Sequence, residues 1–234
     1  MKLAIMQPYL FPYFGYFQLI HAVDKFVVYD DVNFIKQGWI NRNSVLLGEK
    51  AFLFTVPLKN QSSFLKINET SINDVLYPSW CRKFLRSVEQ NYSKAPFYYQ
   101  VFPIVKSVFE TEDLHIATMA TKSLKLVSAY LGIDTVFVDS SSNYGNHHLS
   151  SQYRVLDICK REHATEYINL IGGIELYSKD DFKKQGIDLQ FIKSGATAYK
   201  QFTDTFVSNL SIIDILMFNE VSNVRKIINN YELI

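Results

Sequence analysis

Residues 6–43 read MQPYLFPYFGYFQLIHAVDKFVVYDDVNFIKQGWINRN, and this stretch decides the fold. It begins at the end of a short apolar run, residues 2–6, that reads as a strand. A turn dense in proline and aromatic residues follows, then an amphipathic run over 14–23. A second strand over 26–29 ends in the acid pair Asp30 and Asp31. Strand, helix and strand at this spacing predict a parallel α/β unit. In open sheets of this kind, ligands bind in the crevice beyond the carboxyl ends of the strands. A core needs the apolar residues of this stretch, but not its density of polar groups at strand ends. We therefore expect a small-molecule site here.

Outward from this stretch the pattern continues. Residues 44–47 and 51–58 read as strands around a turn at Gly48, and 65–68 as a further short strand. Pro78 opens a helix whose Trp80, Phe84, Leu85 and Val88 form an apolar stripe. Two more helices are expected over 96–109 and 114–130, the last ending at Gly132. The region 78–132 is thus largely helical. Strands over 135–138, 166–169 and 189–192 then alternate with helices over 150–162 and 175–184, and 211–230 reads as helical. The expected fold is α/β, with a mainly parallel sheet flanked by helices. No repeat, low-complexity run or linker divides the chain, so residues 1–234 are read as a single domain.

Composition narrows the function classes. The chain has 234 residues, 48% of them hydrophobic and 20% charged, with a formal net charge of +1. Such a balance gives no electrostatic footprint for nucleic acid or a membrane surface. No apolar run reaches the roughly 18 residues a membrane span needs. No secretory signal is expected, since the N-terminal residues read directly as a strand. The two cysteines, Cys81 and Cys159, lie far apart without metal-ligand spacing, and no metal site is expected. A reducing, cytoplasmic setting is the simplest reading. Aromatic residues make up 15%, and tyrosines suit a polar cleft as well as a core. Aromatic surface patches are compatible with a homodimer.

Candidate site residues gather after the strands. Gln7 and Tyr9 follow the first strand, and Tyr13, Gly15 and Tyr16 open the first helix, whose free N–H groups suit a phosphate. The alternative is an aromatic turn that staples strand to helix. Asp30 and Asp31 suit Mg²⁺, ribose hydroxyls or an ammonium group, or merely initiate a turn. Lys36 and Arg42 suit phosphate or carboxylate, and Trp39, Asn41 and Asn43 flank Arg42 with stacking and hydrogen-bonding groups. His148 is a candidate base, Gly172 and Gly173 allow close backbone approach, and Tyr199 and Gln201 lie in a polar stretch near the C-terminus. Walker, zincin and serine nucleophile-elbow motifs are missing.

The blocks MQPYLFPYFGYFQLI, DDVNFIKQGWINRN, TVPLKN, YSKAPFY, LGI, GGIELY and LSIIDILMFN, in this order across nearly the whole chain, resemble the WbqC-like family. That family is associated with gene clusters for bacterial O-antigen and other surface polysaccharides. The resemblance implies a glycine transferase acting on amino sugars. A second likeness lies at the level of fold. Nucleotidyltransferase-like domains of the HUP type carry HxGH at the start of their first helix, where this chain has Tyr13-Phe14-Gly15-Tyr16. The glycine is kept and both histidines are tyrosines, so transfer of an adenylyl group does not follow from the likeness alone.

Together the resemblances imply acyl activation followed by attack of an amine, as in pantoate–β-alanine ligase. The implied substrates are a nucleotide-linked amino sugar and glycine or another acyl donor. The implied cofactors are ATP and Mg²⁺. Nucleic acid enters only if charged tRNA is the donor. In this reading Arg42 and Lys36 neutralise phosphate charge, Asp30 and Asp31 hold the amine or Mg²⁺, Gln7 orients the acyl group, and Asp31 or His148 accepts a proton. A non-catalytic nucleotide-sugar or partner-binding module is the competing class. A glycosyltransferase using Asp30 and Asp31 around a metal is a third.

Overall fold

The computed structural model describes residues 1–195 and 197–234. In chain order its elements are β1 (Lys2–Met6), α1 (Phe14–His21), β2 (Lys25–Val28), β3 (Arg42–Leu47), β4 (Lys50–Thr55), α2 (Tyr77–Tyr92), α3 (Tyr98–Phe109) and α4 (Ile116–Leu131). Then follow β5 (Val136–Val138), α5 (Ser151–Arg161), β6 (Glu166–Leu170), α6 (Lys179–Lys184), β7 (Asp188–Ser194), α7 (Ile212–Phe218), α8 (Val221–Ile228) and β8 (Tyr231–Leu233). The main sheet runs β5-β2-β1-β6-β7-β8. Its first five strands are mutually parallel and β8 is antiparallel to β7. The fold is therefore mixed α/β with a mostly parallel sheet flanked by helices. The β3–β4 hairpin stands apart as a two-stranded sheet.

Alternation along the strands sorts the core into two layers. Leu3, Ile5, Val27, Tyr167, Leu189 and Phe191 face one side, packed under Val155, Ile158 and Cys159 of α5 and Phe182 of α6. Ala4, Phe26, Val28, Ile168 and Ile192 face the other, under α1 and the larger cluster that α2, α3, α4, α7 and α8 complete. Cys81 and Cys159 are both buried free thiols.

Three expected elements differ. Residues 65–68 form one isolated bridge, Lys66 to Asn33, and then a 3₁₀ turn, Ile67–Glu69. The Lys66 N–H donates to Glu69 Oε2 and the Thr70 hydroxyl to the Lys66 carbonyl, which curls the chain before a strand can extend. The expected helix over 175–184 is a 3₁₀ turn, Ile171–Leu176, followed by the short α6. The Tyr177 ring packs edge-on against Tyr167 and Phe182, and Ser178 then caps α6 by accepting from the Asp181 N–H. The run 211–230 breaks at Asn219, in extended backbone, into α7 and α8, and β8 closes the sheet after it.

The turn between β1 and α1 is tied on three sides. Phe11 is fully buried with φ of 42°, a left-handed conformation that is unfavourable for a bulky side chain. Its N–H donates to Ser123 Oγ of α4 at 3.0 Å. Its carbonyl accepts from Asn43 Nδ2 of β3 and from Ser211 Oγ, each at 2.7 Å. Asn43 Nδ2 also donates to the Leu10 carbonyl, and the Ile212 N–H donates to the Pro12 carbonyl. These bonds hold a conformation that the chain alone disfavours. Asn43→Ala leaves the Leu10 carbonyl unsatisfied and the Phe11 carbonyl with Ser211 alone, and is expected to cost about 1–3 kcal/mol. Chemical denaturation of the variant checks this, and an unchanged midpoint would count against the turn's dependence on Asn43.

Candidate functional site

From β1 the chain moves to β2 on one side and later returns to β6 on the other. Neighbouring strands β1 and β6 therefore splay their following loops apart, which opens a crevice at their carboxyl ends. A cavity of about 420 Å³ occupies it. Its lining includes Gln7, Tyr9 and Tyr13 after β1, Tyr29 after β2, and Asn169, Gly172, Gly173 and Tyr177 at and beyond the end of β6. Asn169 is held in place: its Oδ1 accepts from the Leu170 N–H and its Nδ2 donates to Tyr167 Oη. Gly173 packs closely there: a Cβ would lie 3.0 Å from Asn169 Nδ2 and would press on that side chain. By contrast, the Gln7 amide and the Tyr9 and Tyr13 hydroxyls bond to no protein group among the described residues. Burial raises the hydroxyl pKa of Tyr9, Tyr13, Tyr29 and Tyr177, with Tyr9 adding to the rise at Tyr13 and Arg154 opposing it at Tyr29. All four remain neutral donors across the physiological range.

Of the residues singled out in the sequence, Gln7, Tyr9, Tyr13, Gly172 and Gly173 thus meet at one crevice. Tyr9, Tyr13, Trp39 and Asn43 also border a smaller adjoining cavity of about 230 Å³. Gly15 sits beneath the Tyr13 ring, where a Cβ would come within 2.3 Å of Tyr13 Cε2. Tyr16 is fully buried and donates its hydroxyl to the Gln7 carbonyl at 2.6 Å, which fixes the backbone of the crevice floor. Asn41 Nδ2 donates to the Val56 carbonyl. Arg42 Nε donates to the Gly38 carbonyl at 3.0 Å and its Nη2 to the Gln37 carbonyl, with the guanidinium 5.6 Å from the Trp39 ring centre. Arg42 therefore folds its own loop. Lys36 and His148 are exposed to solvent in loops. Tyr199 and Gln201 both donate to Asp214 Oδ2, and Tyr92 donates to Asp214 Oδ1, so these groups encase a buried carboxylate.

The acid pair divides its duties. Asp31 forms a buried ion pair with Arg154 Nη2 and accepts from the Ser141 hydroxyl. Arg154 also donates to Asn146 Oδ1 at 2.9 Å, and its guanidinium lies 5.0 Å from the Tyr29 ring centre. This pair stands behind the crevice wall and orients Tyr29. Asp30 is 4% exposed. Its Oδ1 accepts from Ser140 Oγ at 2.7 Å and from the Ser141 N–H at 3.2 Å. Burial raises the Asp30 carboxyl pKa, and the Ser140 and Ser141 bonds oppose the rise. Sequence reasoning missed Arg154, whose signal was an arginine on the inward face of α5 beside Val155 and Ile158. It also missed Tyr29, Asn169 and Tyr177, which the strand-end rule would have reached.

The class defined by these features is a doubly wound α/β protein with a crevice at its topological switch point. The chain belongs to the WbqC-like protein family, whose model matches residues 7–226. It is similar to "Uncharacterized protein Rv1507c" of Mycobacterium tuberculosis, 29% identical over 220 residues that cover 92% of each chain. No solved structure matches the chain. Among the described residues no helix is long and apolar enough to cross a membrane, and no cluster of three or more His, Cys, Asp or Glu side chains could hold a metal ion.

Gly15→Ala tests the link between helix start and crevice. The new methyl must push the Tyr13 ring aside and also meets Ser194 Oγ at 2.9 Å. Ligand affinity in the crevice is expected to fall at least as far as in Tyr13→Ala. Calorimetric titration of both variants measures this, and wild-type affinity in Gly15→Ala would contradict the arrangement.

Proposed function

We propose that this protein transfers glycine, or an acyl group of similar size, to the amino group of a nucleotide-linked amino sugar in bacterial surface-polysaccharide biosynthesis, O-antigen included. The sugar is held in the crevice between β1 and β6. The observation that carries this reading is the lining itself: an unbonded amide, two unbonded tyrosine hydroxyls and flat aromatic faces around about 420 Å³. Such a lining offers stacking surface and neutral hydrogen bonds to a hydroxylated ring. The parallel strand order and Gly15 at the start of α1 support a distant likeness to nucleotidyltransferase-like domains. Membership of the WbqC-like family supports the polysaccharide setting.

In the proposed step the free amine attacks the acyl carbonyl carbon. A C–N bond forms, the carbonyl electron pair moves to oxygen, and collapse of the intermediate expels the donor's leaving group with its bonding pair. The proton lost from nitrogen passes to solvent. Tyr9 and Tyr13 donate to the developing oxyanion, and Gln7 orients the amine. ATP and Mg²⁺ fit the start of α1 and the acid pair poorly. The Tyr13 ring packs against Gly15, Asp31 is engaged through both oxygens by Ser141 and Arg154, and Asp30 is engaged through Oδ1 alone by Ser140 and Ser141, which leaves one free carboxylate oxygen rather than a paired acid site. No step is therefore assigned to them. A single oxyanion donor typically contributes about 10²–10³ in turnover. Tyr13→Phe is expected to lower kcat at least about tenfold with KM and thermal midpoint little changed. Because both hydroxyl pKa values are raised above the ordinary 10.0, tyrosine ionisation should cause no loss of rate below pH 10.

The crevice lining carries no charged side chain among the described residues, which favours a second reading, a nucleotide-sugar-binding module without catalysis. Mass spectrometry separates the two. The protein is incubated with a nucleotide-linked amino sugar and with glycine plus ATP and Mg²⁺, glycine alone, or glycyl-tRNA. A mass gain of one glycyl unit supports transfer and names the donor. Tight sugar binding with no new product under any donor supports the module. Neither binding nor product overturns both.

A further inference from the structure

A third cavity, of about 520 Å³, lies on the other side of the Asp30–Asp31 segment. It too sits beyond strand ends, because Asp30 follows β2 and Asp139 follows β5, and α4 covers it. Two acceptors at its wall lack partners. Asp30 Oδ1 takes the serine hydrogen bonds described above, while Oδ2 accepts none among the described residues, on a residue only 4% exposed. Asn68 Oδ1 is buried without a hydrogen bond, although its Nδ2 donates to Ser142 Oγ at 3.0 Å and its N–H to the Asp30 carbonyl. The buried Asn68 acceptor left unpaired is costly, and such groups in native proteins call for a partner.

Cations line the α4 side of the same cavity. Lys122 and Lys125 stand one turn apart on α4, with His115 at its N-terminal end. Lys122 donates to the Ser107 carbonyl and Lys125 pairs with Asp139, which uses one of the three N–H groups on each. His115 Nδ1 is bonded to Asp113 at 2.8 Å, which orients the ring. Thr118 and Thr121 add hydroxyls on the helix face between them.

We propose that this cavity is a second binding site, for a phosphorylated hydroxyl compound such as a sugar phosphate. The hydroxyls of the ligand donate to Asp30 Oδ2 and Asn68 Oδ1. The phosphate meets the remaining donors of Lys122 and Lys125 and the outer nitrogen of His115. The pairing follows from the two unpaired acceptors at one wall and the two ammonium groups at the other. A plain anion satisfies only the lysines, and a neutral sugar only the acceptors. The site stands independently of the transfer reaction proposed for the β1–β6 crevice.

Isothermal titration of the full chain with glucose 6-phosphate, glucose and inorganic phosphate is the test. Glucose 6-phosphate should bind at least ten times more tightly than either fragment. Lys122→Met with Lys125→Met should lower that affinity at least tenfold and flatten its dependence on salt. Asp30→Asn should lower it comparably by turning an acceptor into a donor. Thr118→Trp fills the cavity from an exposed position, so it should abolish binding without unfolding the chain, even if Asp30→Asn misfolds. Binding of a nucleotide-linked amino sugar in the β1–β6 crevice should survive Thr118→Trp, which separates this proposal from the transfer reading. Glucose 6-phosphate binding that is undetectable, no tighter than phosphate alone, or untouched by Thr118→Trp overturns the second site.

Discussion

The left-handed turn at Phe11 is the constraint on which the crevice depends. A buried aromatic residue at a φ of 42° is unfavourable by itself, and hydrogen bonds from α4, β3 and the start of α7 hold it there. Those partners come from widely separated parts of the sequence, Ser123, Asn43 and Ser211. The bonds that hold the turn therefore exist only where the helical middle region and the hairpin are docked on the sheet. Once locked, it aims Tyr9 and Tyr13 from its two ends into the same crevice. The helical middle region, which offers no site of its own at the switch point, thus shapes that site from beneath.

Buried polar groups repeat the same division between support and exposure. Asp214 sits at the centre of Tyr92, Tyr199 and Gln201, and Tyr92 also accepts from the Leu46 N–H, so the hairpin, α2, α7 and the 199–207 segment share one carboxylate. Burial raises the Asp214 pKa while its three donors oppose the rise. Asp31 and Arg154 play a similar part behind Tyr29. Removing one member of such a set leaves the others desolvated, so a single loss destabilises the fold as well as disturbing the geometry. What remains unbonded is then informative: Gln7, Tyr9 and Tyr13 in one cavity, Asp30 Oδ2 and Asn68 Oδ1 in another.

The sheet and the helical middle were legible because their signals are local. Leu3, Ile5, Phe26 and Val28 sit in short apolar runs at strand spacing, and Phe84 and Val88 repeat at helix spacing. The 3₁₀ turn at Ile67–Glu69, the break at Asn219 and the strand Tyr231–Leu233 depend on single side-chain caps or on closure against β7, which periodicity does not register. Within the site, Gln7, Gly172 and Gly173 were reachable because strand ends converge by topology. Whether a polar residue near a strand end faces the ligand or the scaffold was not reachable. Asn43 and Tyr16 look equivalent to Gln7 and Tyr13 in the sequence, yet their polar groups bond inward. Arg154 lies far along the chain from Asp31, and only the parallel order of β1, β2 and β6 brings α5 over the acid pair.

Hydrogen exchange measured by mass spectrometry, with and without a nucleotide-linked amino sugar, is the most direct examination of the crevice. Ligand should slow exchange in two separated segments, 7–16 and 169–177, because they form opposite walls of one cavity. It should leave the 36–38 and 147–149 loops unchanged, since Lys36 and His148 stand in solvent. Protection confined to those loops, or spread over neither wall with the sugar demonstrably bound, would contradict a substrate site between β1 and β6.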